Sequence, residues 1–167
     1  MALSPGAWTL TIAMAASAAN PDMQPMHVLF GGHARTLIVW SVAGALQRLE
    51  SLPCRNLLTD FADGQGRSLA DNLDATGLSL PDYVSRLYFV DGDRERGCAN
   101  ALTSAFTAPG SHAIHVCPTH FGTAPGGIVY GQMIVIHEIL HTLGLGENPP
   151  STTQITRRVI DRCRVFS

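Results

Sequence analysis

The spacing of hydrophobic positions changes period several times along the chain, and each change marks an element. From Thr36 to Leu52, Leu37, Trp40, Leu46 and Leu49 recur at near-helical steps until Pro53, which predicts a helix despite Gly44 within it. Residues 20–33 before it read as a loop around a short apolar stretch, Met26 to Phe30. Leu57 to Phe61 reads as a strand, Asp63-Gly64-Gln65-Gly66 as a turn, and Ser68 to Ala75 as a short helix closed by Gly77. Ser79-Leu80-Pro81-Asp82 begins another helix, and Arg86 to Val90 is a strand that stops at Asp91-Gly92. Two extended runs, Leu102 to Thr107 and Ser111 to Cys117, flank Ala108-Pro109-Gly110 as a hairpin. Ile128 to Leu143 carries Val129, Met133, Ile136, Leu140 and Leu143 at steps of three and four, the buried stripe of a helix, with Gly144 as a left-handed stop. Ser151-Thr152-Thr153-Gln154 then has capping-box spacing ahead of Ile155, Val159 and Cys163. Strands in the middle and helices at both ends predict an α+β chain. A short mixed sheet should pack against the 128–143 helix, with a C-terminal helix beside them.

Composition narrows the function classes. A length of 167 residues with 46% hydrophobic side chains suits one domain with a real core. Charged residues are few at 14%, net charge is -2, and all 11 basic side chains are Arg. Nucleic-acid binding is not expected, because the Arg-rich end from Arg157 to Arg164 is short and reads as a solvated helix face. Past the N-terminus no apolar run approaches the roughly 18 residues of a membrane span. Residues 1–20 read as a signal peptide or N-terminal segment, and 21–167 as the single domain. Ala7 to Ala15 has the length of a signal-peptide apolar core and Ala16-Ser17-Ala18 that of a cleavage site, although no positive residue precedes them. The other reading is a buried N-terminal element.

Cys54, Cys98, Cys117 and Cys163 contain no C-x-x-C pair, which argues against a four-cysteine zinc site. Their even count fits two disulfides in a secreted or periplasmic protein, the other reading being four buried thiols in a cytosolic one. Cys98 and Cys117 flank one hairpin with similar arms, which leaves Cys54 for Cys163. The acidic stretch from Asp60 to Asp93 contains Asp-Gly turns but lacks the twelve-residue spacing of a calcium loop.

His137-Glu138-Ile139-Leu140-His141 is H-E-x-x-H inside the best-defined helix. Two histidines four residues apart differ by about 40° around a helix axis, so both imidazoles project from one face. That geometry suits two corners of a zinc site, with Glu138 beside the first ligand as a general base. Continued to Glu147, the segment reads H-E-x-x-H-x-x-G-x-x-E, in which Gly144 can turn the chain back toward the metal. Two further residues compete with Glu147 as the third ligand. One is His120, in a loop near the motif. The other is Asp161, twenty residues past His141, although helical periodicity points it away from the Ile155/Val159/Cys163 face.

From the hairpin onward this pattern resembles the zincin metallopeptidases. The H-E-x-x-H-x-x-G portion is similar to the metzincin branch, with Glu147 where that branch has His or Asp. No Met-turn follows, since the last methionine is Met133. A ligand set of two His and one Glu is like that of the gluzincins. The resemblance implies a zincin-like fold, Zn²⁺ as cofactor, and hydrolysis of a peptide or protein substrate through an activated water. It also implies that the strand before the active helix, here His112 to Cys117, offers its edge to substrate, and that His112, His115 or Tyr130 stabilises the oxyanion. The chain is expected to act as a monomer, without membrane or nucleic-acid partners. Two other classes stay open: a domain that holds zinc without turnover, and a zinc amidase acting on a non-protein amide such as a cell-wall crosslink.

Overall fold

A computed structural model describes residues 26–164; the signal-peptide segment expected over residues 1–20 lies outside them. The chain runs β1 (His27–Val28), α1 (Gly32–Leu49), α2 (Leu52–Arg55), α3 (Leu57–Asp60), α4 (Leu69–Ala75), α5 (Leu80–Ser85) and β2 (Tyr88–Asp91). After a 3-10 turn at Arg96–Ala99 come β3 (Ala105–Phe106), β4 (Ala113–Val116), α6 (Gly127–Thr142) and α7 (Thr152–Cys163). The class is α+β, in one small domain.

The sheet is mixed, in the order β1-β2-β4-β3. β1, β2 and β4 run parallel, with Val28 opposite Phe89 and Phe89 opposite Ile114, while β3 pairs antiparallel to β4 through Phe106 and His115. Val28, Phe89, Ile114 and Val116 turn into the core, as alternation along a half-buried strand requires. Two sequence expectations fail here. Met26 to Phe30 is not all loop but contains β1, which exists only through its pairing with β2. Leu57 to Phe61 is helical rather than extended: Leu57 and Leu58 are adjacent and both buried, which a helix at the protein's edge permits and an alternating strand does not.

α1 and α6 make the most extensive helix contact. A Cβ on Gly44 would meet the Gln132 side chain at 2.2 Å, and one on Gly131 would meet Ser41 Oγ at 2.7 Å, so the two glycines let the helices cross closely. The crossing sets which face of α1 is buried: Ile38, Ser41, Val42, Ala45 and Leu49, while Trp40 is left 60% exposed. Leu52 starts α2 rather than ending α1. On α6, Met133, Ile136, Leu140 and Leu143 are buried as the spacing predicts, but Val129, in the first turn, is 48% exposed. Arg48 on α1 bonds both Gln132 Oε1 (2.7 Å) and the Cys163 carbonyl (2.8 Å), joining α1, α6 and α7. The capping box at Ser151 and Gln154 starts α7, and Ile155, Val159 and Cys163 form its buried face.

Both disulfides pair as expected, Cys54 with Cys163 and Cys98 with Cys117, with Cα atoms 4.5 and 5.5 Å apart. They fit maturation in an oxidising environment. No described helix is long and apolar enough to cross a membrane.

Candidate metal centre

α6 ends at the site, and the way it ends builds the site. Gly144, at φ 106, is the left-handed residue that closes the helix. Its N–H donates to the His141 carbonyl at 2.9 Å and the Leu145 N–H to the Leu140 carbonyl at 3.1 Å, the paired bonds of a Schellman cap. The cap turns the chain so that the Leu145 carbonyl accepts a hydrogen bond from His141 Nδ1 at 2.7 Å. With its proton on Nδ1, His141 presents a lone pair at Nε2. Two residues further on, Glu147 returns to the same point. Its Oε1 lies 3.4 Å from His141 Nε2 and 3.8 Å from His137 Nε2, and the two Nε2 atoms are 3.0 Å apart.

This triangle matches a metal site. Ligand bonds of about 2.0–2.1 Å in tetrahedral geometry place neighbouring donor atoms about 3.3 Å apart. Among the described residues, His137, His141 and Glu147 form a group able to hold a metal ion. Their surroundings point to a cation as well. Burial, and secondly His141, hold the His137 imidazole neutral down to a pKa of about 3. Burial, and secondly the Glu147 charge, push Glu138 up to about 8. Glu138 Oε2 is buried without a hydrogen-bond partner. The Glu147 carboxylate beside the neutral His137 imidazole, with an unpartnered Glu138 carboxyl behind them, is a setting that a bound cation would stabilise.

The other predicted site residues lie elsewhere. His120 Nδ1 is 3.2 Å from the Thr103 carbonyl and is not part of the group. Asp161 is exposed, in a groove it shares with Pro149, Arg157, Arg158 and Arg162. His115 Nδ1 lies 2.7 Å from Glu95 Oε1 and its ring stacks on Phe106, while His112 packs against Tyr83. Tyr130 lies seven residues before His137, about 10 Å along the helix at 1.5 Å per residue. The expectation that β4 offers its edge is corrected: β4 lies between β2 and β3, so the free margin on that side belongs to β3.

Sequence reasoning missed several residues that shape the centre. Thr156 Oγ1 is 3.0 Å from His137 Nδ1, and Thr152 Oγ1 donates to Glu147 Oε1 at 2.7 Å. Asn72 Nδ2 donates to the Leu143 carbonyl at 2.9 Å and Tyr83 Oη to the Thr142 carbonyl at 2.9 Å. For the threonines a signal existed: two hydroxyls at i and i+4, flanking the apolar stripe of α7. For Asn72 and Tyr83 there was none, since their partners are backbone atoms 71 and 59 residues away. No protein-family model, no curated protein and no solved structure matches this chain.

Proposed function

We propose that this chain is a small zinc peptidase, with zinc held by His137 Nε2, His141 Nε2 and Glu147 and with Glu138 as general base. The observation that carries the reading is the triangle of donor atoms at the end of α6, with the partnerless Glu138 carboxyl beside it. Two imidazoles and one carboxylate suit zinc, and three protein ligands are the number a catalytic site uses, leaving one coordination position for water or substrate. Zinc bound there supplies Lewis acidity, which brings the pKa of water toward neutrality and polarises a carbonyl. Glu138 takes a proton from the attacking water and passes it to the leaving amine. Glu147 is 38% exposed at its side chain, so the group is open on that side while the histidines are sealed at 4%. β3, which has one strand neighbour and packs on α6, gives an extended peptide an edge to pair with. The two disulfides and the apolar segment Ala7 to Ala15 support export, and the chain acts as a monomer on peptide or protein.

The test is Glu138→Gln, which keeps shape and charge-free bulk but cannot accept a proton. The variant should bind zinc as the wild type does and lose at least about a hundredfold in peptide-library cleavage. Cleavage at the wild-type rate would refute the assignment. A zinc-loaded wild type inert on every peptide but active on a crosslinked cell-wall amide would move the substrate class.

A further inference from the structure

α7 lies outside the H-E-x-x-H segment, yet it reaches the candidate ligands twice. Thr152 and Thr156 are one turn apart, so their side chains share a face of the helix. Thr152 meets Glu147 Oε1 at 2.7 Å and Thr156 meets His137 Nδ1 at 3.0 Å. His141, by contrast, is oriented by the Leu145 carbonyl of its own loop. α7 is itself fixed at both ends, by the Ser151–Gln154 capping box and by the Cys54–Cys163 bridge with Arg48 on the Cys163 carbonyl.

We propose that Thr152 and Thr156 are positioning residues for the metal ligands and that Thr156 carries most of the effect. The inference rests on the metal-centre reading above. With Nε2 of His137 on the metal, its Nδ1 bears a proton that needs an acceptor, and Thr156 Oγ1 is the one in place. His137 is 4% exposed, so water cannot readily substitute. Glu147 is open enough for water to replace Thr152, which ranks the two threonines.

The experiment is a competition titration of the full chain with Zn²⁺ against a chromophoric chelator, with the melting temperature of each metal-free variant measured in parallel. Thr156→Val should weaken zinc binding about ten- to a hundredfold, the range for loss of such an outer partner. Thr156→Ala, which adds no bulk at the α6–α7 contact, should agree with it, and Thr156→Ser should restore affinity. Thr152→Val should weaken binding less than Thr156→Val does. Thr153→Val, at an exposed neighbouring position, should leave it unchanged. A merely structural role would lower the metal-free melting temperature without this pattern in affinity. Wild-type affinity in Thr156→Val and Thr156→Ala would overturn the role of α7 and leave the metal centre standing. A wild type that takes up no zinc would overturn the centre itself.

Discussion

The two disulfides close loops of very different length, and that difference can be turned into a number. Cys54–Cys163 spans 109 residues and Cys98–Cys117 spans 19. In the chain-entropy treatment a crosslink removes about 2.1 + 1.5R ln n cal/mol/K from the unfolded chain, which at 25 °C gives about 4.8 kcal/mol for the long loop and about 3.2 kcal/mol for the short one. Replacing either pair by alanine also removes two sulfurs from the interior. All four cysteines are buried, at 0%, 2%, 5% and 0% exposure for Cys54, Cys163, Cys98 and Cys117, so that packing loss is similar in both variants and nearly cancels in the comparison. The expected result is a Cys54→Ala/Cys163→Ala protein less stable than Cys98→Ala/Cys117→Ala by about 1.6 kcal/mol. Equilibrium urea unfolding of the two double variants, each fitted with its own slope because each keeps a different crosslink, reads the difference. Equal stabilities, or a larger loss for the short loop, would refute the reasoning and move the stabilisation to native contacts around each bridge.

Glu147→Ala should weaken zinc binding by roughly a hundredfold, since structural sites of four ligands hold zinc with about 10–16 kcal/mol and each ligand's share is about 3 kcal/mol. Asp161→Ala should leave affinity unchanged in the same titration, and the reverse order would move the third ligand to α7. Asp63 predicts a pH effect. The Asn72 amide in the first place, then the Arg67 and Gln65 backbone N–H groups, hold its carboxyl down at about 2 from the ordinary 3.8. A depressed folded-state pKa contributes stability that is complete above about pH 4 and is lost as pH falls toward 2. The urea midpoints of wild type and Asp63→Asn should therefore differ above pH 4 and converge toward pH 2; a constant gap would exclude ionisation as the cause.

What could be read from the sequence follows from how local each determinant is. The α6 stripe, the α7 capping box and the Gly144 stop are local, and they stand where spacing puts them apart from Val129, which the first turn of α6 leaves exposed. Glu147 is legible as a candidate because Gly144 can end the helix three residues earlier, and the Schellman turn is what brings it back beside the histidines. The spacing counts Trp40 with Leu37, Leu46 and Leu49 in the helical rows of α1, yet Trp40 is exposed. The true face is set by where α6 crosses, at Gly44 and Gly131, and no period in the α1 sequence encodes that crossing. β1 is two residues long and is a strand only because Tyr88 and Phe89 lie beside it. Leu57 to Phe61 shows the ambiguity of a short apolar run, which a strand and a helix share until burial decides.

The first hundred residues carry no recognisable motif, and the end of α6 shows one thing they do. A helix that stops inside the protein leaves its last carbonyls without intrahelical partners, and burying them unpaired costs about 1–3 kcal/mol each. Here each is met. Leu145 and Gly144 bond the Leu140 and His141 carbonyls from the cap, and Gly110 N–H in the β3–β4 turn adds a second bond to His141 at 2.8 Å. Tyr83 from α5 takes Thr142 and Asn72 from α4 takes Leu143. Asp63 in turn holds Asn72 at 3.0 Å, so the 60–76 region braces the same end. These partners satisfy the carbonyls without adding positive charge, since none is cationic. The negative end of the α6 dipole is therefore left uncompensated by these partners, and His141 lies in its last turn. Lys or Arg side chains at those positions would also cap the helix but would repel any cation held by the His137–His141–Glu147 group. Neutral donors from distant segments thus close the end of α6 beside the candidate metal group, and α4 and α5 supply two of them, Asn72 and Tyr83.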